Sequence, residues 1–303
     1  MKLAAFKYSA PDSLEEALGI LSQSEAGKIL AGGQSLLPQL ISRQHDCDWL
    51  VDIQNISEFN TVEKKQGHIA IAAMTRQRDV ELNSRIKQQH PLLCHMLGHI
   101  GSIAIRNRGT VVGSLCHGAS WGEIPLLFVL LGGSLVVQSQ QGKREIPADT
   151  LFISHNRTAL AAKEMAIAAY FSLPNTEYYW GYCEYSQRAY DRALCLAAVT
   201  LRIDHRGRLA DVRIAVGGVT AIPQRCGELE TRLTGEIPAH ALAVEAGRVA
   251  AIQTEVTDDG KLATAYRRQL LSTLVCRALL QAFSSYCDRY SGGNRDTRNC
   301  SAS

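Results

Sequence analysis

The sequence predicts an α+β chain of two or three domains, and three observations carry that prediction. A single hydrophobic core seldom grows beyond roughly 250 residues, and this chain has 303. Its first half twice sets a glycine loop between an apolar strand or helix and another apolar element. Its last third changes to an antiparallel hairpin followed by two long helical segments. Hydrophobic residues make up 46% and charged residues 20%, enough to build ordinary globular cores and to leave disorder to the ends. The net charge is only +3 and no segment concentrates basic residues, which argues against a nucleic-acid partner.

The elements follow in order. Ser13-Leu14-Glu15-Glu16 is a capping box, and Leu14, Ala17, Leu18 and Leu21 recur at helical spacing, so a helix runs to about Ser22. Lys28 to Ala31 is a short strand, Gly32-Gly33-Gln34-Ser35 a turn, and Leu36 to Leu40 a helix whose Pro38 is tolerable only near its start. Leu50 to Ile53 reads as a strand, and Phe59 to Gln66 as a polar passage into a second domain. That domain starts with the strand His68 to Met74 and continues with helices from Thr75 and from about Leu92 to His99. A glycine-bearing loop spans Arg106 to His117. Ile124 to Leu131 has the unbroken apolar character of a buried helix, Ser134 to Gln138 pairs with Lys143 to Ile146, and Pro174 closes the domain. Ala193 to Ile203 and Leu209 to Val216 form a hairpin across Asp204-His-Arg-Gly207, and helices at Ala239 to Ile252 and Tyr266 to Cys287 follow. The expected divisions are 1–57, 58–175 and 176–287, with a disordered tail at 288–303.

Nine cysteines stand alone, without a Cys-x-x-Cys pair. This disfavours an iron–sulfur or structural zinc site in this chain and suits a reducing cytosol. The N-terminal residues lack an apolar signal core, and the most apolar stretch, Ile124 to Val137, is too short to cross a bilayer. The expectation is a soluble cytoplasmic protein without a membrane span. His95 and His99 are spaced i, i+4, but no third ligand is spaced to join them, so packing or surface exposure is the better reading.

Gly-x-Gly, Gly-Lys-Ser/Thr, His-Glu-x-x-His and Gly-x-Ser-x-Gly are all missing from the sequence, which removes the Rossmann, P-loop, zincin and hydrolase readings. The two glycine loops, 32–35 and 109–114, remain. Small residues let backbone N–H groups approach an oxyanion, and the hydroxyls of Ser35, Thr110 and Ser114 add donors without bulk. Either loop alone is equally well a tight turn or a helix cap. Together they are suited to gripping a pyrophosphate from two sides.

Ala31-Gly-Gly-Gln-Ser-Leu-Leu-Pro38 and Ile105-Arg-Asn-Arg-Gly-Thr-Val-Val-Gly-Ser114 resemble the two FAD-pyrophosphate motifs of the flavin subunits of molybdenum hydroxylases. Leu50-Val-Asp-Ile53, Ala72-Ala-Met-Thr75, Arg188-Ala-Tyr-Asp191, Arg213-Ile-Ala-Val-Gly-Gly218 and Ala265-Tyr-Arg267 are similar to further family segments, in family order. The resemblance covers residues 1 to about 287. It implies a two-part FAD-binding fold of the vanillyl-alcohol-oxidase and xanthine-dehydrogenase-flavin type, followed by a C-terminal domain of antiparallel sheet plus helices. It further implies FAD in this chain, [2Fe-2S] clusters on a small partner subunit, molybdopterin on a large one, a dimer of heterotrimers, and an external electron acceptor.

Carried over by position, Ala31, Gly32, Gly33, Gln34, Ser35 and Leu36 form the first pyrophosphate loop, and Thr110, Val111, Gly113 and Ser114 the second. Glu123, before Ile124-Pro125, matches an acidic position that accepts from FAD hydroxyls; read alone, it is equally an exposed helix-start carboxylate. Arg188 and Asp191 match a segment beside the flavin ring; read alone, they are a surface pair. Three positions depart from the family. Val112 replaces a glycine and restricts the backbone to negative φ, Ala119 stands where relatives carry an aspartate, and Cys183 replaces a lysine found in xanthine dehydrogenase-like members. These departures leave open a docking subunit without flavin. A self-sufficient flavin oxidoreductase is the other alternative.

Overall fold

The structure, a computed structural model, describes residues 3–65, 67–173, 178–258, 260 and 262–291. Gln66, Pro174 and residues 292–303 of the expected tail lie outside the described residues. The chain divides into two compact units. One runs to Ala119 and resumes at Gly132–Leu173; the other joins Ser120–Leu131 to the described residues beyond Leu173.

In the first unit, strands Lys7–Ser9 and Lys28–Leu30 flank Trp49–Asp52, both parallel to it, with Tyr8 opposite Leu50 and Ile29 opposite Val51. Parallel neighbours need crossovers, and the helices Leu14–Gln23 and Leu36–Ile41 supply them. The first helix is capped as expected by Ser13, whose Oγ accepts from Glu16 N at 3.2 Å, and Glu16 Oε2 reaches back one residue further, accepting from Asp12 N at 3.3 Å. Its buried face, Ala17, Leu18 and Leu21, packs with Val51, Ile53 and Ile56, and each buried leucine contributes about 2 kcal/mol. An antiparallel five-stranded sheet completes the unit, in the order Val62–Lys65, His68–Ala72, Met165–Ser172, Ser134–Ser139, Gly142–Pro147.

The second unit is built on an antiparallel sheet in the order Tyr179–Tyr185, Cys195–Ile203, Leu209–Gly217, Gln224–Arg225. Helices Gly227–Leu233, His240–Gln253 and Thr264–Ser291 share its core, and every residue of the helix Glu123–Leu131 is buried. The long helix approaches its neighbours closely. A Cβ on Gly181 would lie 1.9 Å from the Ala278 carbonyl oxygen, and one on Gly247 would lie 2.3 Å from that of Ser272.

The α+β class is as predicted, with three differences in detail. The last helix continues to Ser291, so residues 288–291 of the expected tail are helical. The same helix, over Thr264–Arg289, contains an 18-residue stretch long and apolar enough to cross a bilayer. The sequence reading missed this because arginines interrupt the apolar run. Leu271, Leu274, Val275, Ala278, Leu279, Ala282 and Phe283 recur at helical spacing between them and pack into the core of this unit. The expected loop from Arg106 to His117 is mostly helical. Helix Ile103–Arg108 and helix Val111–His117 are joined only by Gly109 and Thr110.

Candidate functional site

The two glycine segments meet inside the first unit. Gly32 is buried, and a Cβ there would lie 2.4 Å from the Arg108 carbonyl oxygen and 2.8 Å from Gly109 Cα. Only glycine permits that backbone-to-backbone approach. Gly33 follows at φ +72°, a left-handed conformation that turns the chain from strand Lys28–Leu30 into helix Leu36–Ile41. Leu37 N donates to Gly33 O at 3.2 Å and Gln39 N to Ser35 O at 3.3 Å. The Ser35 side chain makes no capping hydrogen bond to its helix. Gln34 is exposed and donates to Gly32 O at 3.3 Å, while Ala31 and Leu36 are half-buried against neighbouring apolar clusters.

The second segment is fixed from several sides. Thr110 has extended backbone, and its Oγ1 accepts from Gly113 N at 3.0 Å, capping helix Val111–His117. A Cβ on Gly113 would sit 2.6 Å from that oxygen, so this glycine makes room for the cap. Val111 N donates to Thr75 O at 3.3 Å, and Ser114 N to Thr110 O at 3.2 Å. Val112 lies in the helix and is 2% exposed. Helical φ is negative, so the restriction that valine places on the backbone is met here.

Two further side chains lock the link. Arg106 is buried: its Nε donates to Glu81 Oε2 at 2.8 Å, and its Nη1 to the carbonyls of Ile100 and Gly101, each at 2.8 Å. Burial pushes the Glu81 carboxyl up, but hydrogen bonds from Arg78 and Arg106 outweigh it and hold the group below the usual carboxylate range. Arg76 donates to the Arg108 carbonyl and, at 3.4 Å, to Gln54 Oε1. Gln77, which the sequence reading missed, is 3% exposed. Its backbone N–H donates to Gly109 O at 2.9 Å, and its Nε2 donates to Ser114 Oγ at 2.8 Å and Thr110 O at 3.5 Å. A lone glutamine in a six-residue helix carries no sequence signal for contacts more than thirty positions away.

The remaining expected site residues belong to the second unit. Glu123 opens the helix Glu123–Leu131 and is 8% exposed, which removes the exposed-carboxylate alternative. Burial, aided by the Glu184 charge, pushes its carboxyl up to about 8. Nearby, the Tyr182 hydroxyl donates to Glu184 Oε2 at 2.6 Å and is pushed well above the usual tyrosine range, by burial first and then by the charges of Glu123 and Glu184. Arg188 and Asp191 lie in one turn, closed by Asp191 N donating to Arg188 O at 3.1 Å, with both side chains exposed. Tyr190 between them sits at φ +66°. Arg267 is buried and donates to Gly218 O at 2.9 Å, which joins two of the family-like segments. The His95 and His99 rings lie 4.8 Å apart, and among the described residues no three His, Cys, Asp or Glu side chains gather as a metal site.

In the first unit the geometry thus provides a strand-to-helix turn seated on a helix-to-helix link. The starts of helices Leu36–Ile41 and Val111–His117 lie on these two segments, together with the hydroxyls of Ser35, Thr110 and Ser114. That donor set suits an anion such as pyrophosphate. The comparisons with known proteins give the family. Residues 4–176 match the family described as the FAD binding domain in molybdopterin dehydrogenase, and residues 180–282 match the CO dehydrogenase flavoprotein C-terminal domain. The chain belongs to this family of FAD-binding oxidoreductase subunits. It is 34% identical to the nicotine 6-hydroxylase medium subunit of Paenarthrobacter nicotinovorans, over 93% of this chain and 99% of that protein. It is 29% identical to the carbon monoxide dehydrogenase medium chain of Hydrogenophaga pseudoflava, over 92% and 97%. Among solved structures, quinoline 2-oxidoreductase from Pseudomonas putida 86 superimposes with a TM-score of 0.90 at 31% identity, covering 94% of this chain and 99% of that one.

Proposed function

We propose that this protein is the electron-transfer subunit of a cytoplasmic molybdenum hydroxylase complex. It would receive electrons from [2Fe-2S] clusters on a small partner subunit, reduced in turn by a molybdopterin-bearing large subunit, and pass them to an external acceptor from a dimer of heterotrimers. The observation that supports the reading is the seating of Gly32 on Arg108 and Gly109, which brings the two separate motifs into contact. Residues 1–57 and 58–175 are the proposed flavin-holding divisions, and 176–287 the C-terminal domain. Ala31, Gly32, Gly33, Gln34, Ser35 and Leu36, with Thr110, Val111, Gly113 and Ser114, are the proposed contacts of the pyrophosphate.

Bound FAD supplies the redox chemistry, accepting and releasing electrons singly or in pairs. The chain's own work is to bind and orient. The small residues and the Ser35, Thr110 and Ser114 hydroxyls of the two segments would let the chain hold the pyrophosphate without bulky cations, and glycine at position 32 lets the two segments approach backbone to backbone. Glu123, Arg188 and Asp191 are proposed as further FAD contacts from their motif correspondence. Burial keeps most Glu123 protonated at neutral pH, so its carboxyl both donates to and accepts from hydroxyl groups. None of these residues is required as a general acid or base. Flavin content tests the reading: the purified chain is expected to carry FAD or to take it up on reconstitution, and a folded chain that does neither overturns it.

A further inference from the structure

We propose that Gln77 is a positioning residue that makes the Ser114 hydroxyl a hydrogen-bond donor to a phosphate oxygen of FAD. This inference rests on the flavin reading above. Gln77 Nε2 donates to Ser114 Oγ at 2.8 Å, occupying one of that hydroxyl's two acceptor lone pairs and barring its proton from that direction. The Ser114 proton must then go elsewhere. Within the chain it meets the Thr110 carbonyl oxygen at 3.4 Å, at the outer limit of hydrogen bonding. A phosphate oxygen at the cradle is a stronger acceptor than that distant carbonyl. The amide cannot be turned over without cost, because its oxygen would then face the Thr110 carbonyl now 3.5 Å from Nε2.

The other end of the same amide shows that this arrangement does not serve stability. Gln77 is 3% exposed, and its Oε1 is buried without a hydrogen-bond partner. An unsatisfied buried carbonyl is a penalty that an apolar side chain of similar size avoids. Gln77 therefore has the features of a residue kept for its N–H end, at the expense of the folded state.

The test is a double-mutant cycle on FAD affinity in the full chain, read by quenching of flavin fluorescence, with the thermal midpoint of each apoprotein measured alongside. Gln77→Leu and Ser114→Ala are each expected to weaken FAD about tenfold, the size of one hydrogen bond to a charged group. The double variant is expected to weaken it about tenfold rather than a hundredfold, because both changes remove the same bond. The apo midpoint of Gln77→Leu is expected to be unchanged or raised. Gln77→Met, equally without an N–H, replaces it if the leucine variant does not fold. Unchanged FAD affinity in the Gln77 variant, additive losses, or a lowered apo midpoint overturns the assignment. A wild-type chain that binds no FAD overturns the flavin reading itself, and the two failures are thereby distinguished.

Discussion

Gly32→Ala puts the smallest possible probe at the point where the two loops touch. The added Cβ would lie 2.4 Å from the Arg108 carbonyl oxygen and 2.8 Å from Gly109 Cα, both backbone atoms. Neither can rotate away, so one segment must shift by about 1 Å to restore van der Waals contact. Overpacking of this kind costs up to about 3 kcal/mol in stability. Binding suffers further, since donors on the two segments no longer converge. Losing two hydrogen bonds to a charged pyrophosphate raises Kd by about a hundredfold or more. FAD titration followed by fluorescence quenching measures this directly, with the apo thermal midpoint recorded in parallel. Gly19→Ala is the control: apart from its own chain neighbours and the backbone of its helix, Leu14–Gln23, nothing lies within 4 Å of the added Cβ, so it should stabilise by about 0.5–1 kcal/mol and leave Kd alone. Wild-type FAD affinity in Gly32→Ala would refute the claim that the contact between the loops builds the cradle.

Other perturbations separate the remaining parts. Gly33→Val forces a β-branched residue to φ +72°; a stability loss of at least about 1–2 kcal/mol and weaker FAD binding are expected from denaturant titration and flavin quenching. Arg106→Met leaves Glu81 with only Arg78 as partner and should cost about 3 kcal/mol by urea unfolding. Glu123 titrates higher in the folded chain, at about 8, than in the unfolded one. The folded state therefore holds the extra proton between the two values, and stability falls as pH rises from about 5 to 8, by at most about 1.4 kcal/mol per pH unit. Glu123→Gln should flatten that slope, as urea midpoints measured across this range will show. Gly181→Ala drives a Cβ to 1.9 Å from Ala278 O and should destabilise the second unit by about 3 kcal/mol or more, seen as early loss of amide-exchange protection in Thr264–Ser291.

What the sequence discloses here is local. The capping box at Ser13, the turn at Gly33 and the hairpin at Asp204–Gly207 each announce themselves through residues within a few positions of one another. Strand Tyr179–Tyr185 did not, because Gly181 breaks its pattern, and the reason for that glycine is the backbone of Ala278. The second half of helix Ile103–Arg108 was read as loop and its first half left unassigned, because its six residues are mostly exposed and carry two arginines. Its Ser102 cap, which accepts from Ile105 N at 3.4 Å, was the available signal. The two glycine segments were legible because close backbone approach demands small residues. Gln77 and the burial of Glu123 were not, since both depend on what the fold brings alongside them.

The central claim is that this chain holds FAD by its pyrophosphate, and the most direct measurement compares FAD with riboflavin, which lacks the phosphates, in equilibrium titrations of the purified chain. One FAD is expected to bind per chain, with riboflavin weaker by about a hundredfold or more. Equal affinity for the two flavins, or no binding of either by a folded chain, would contradict the account.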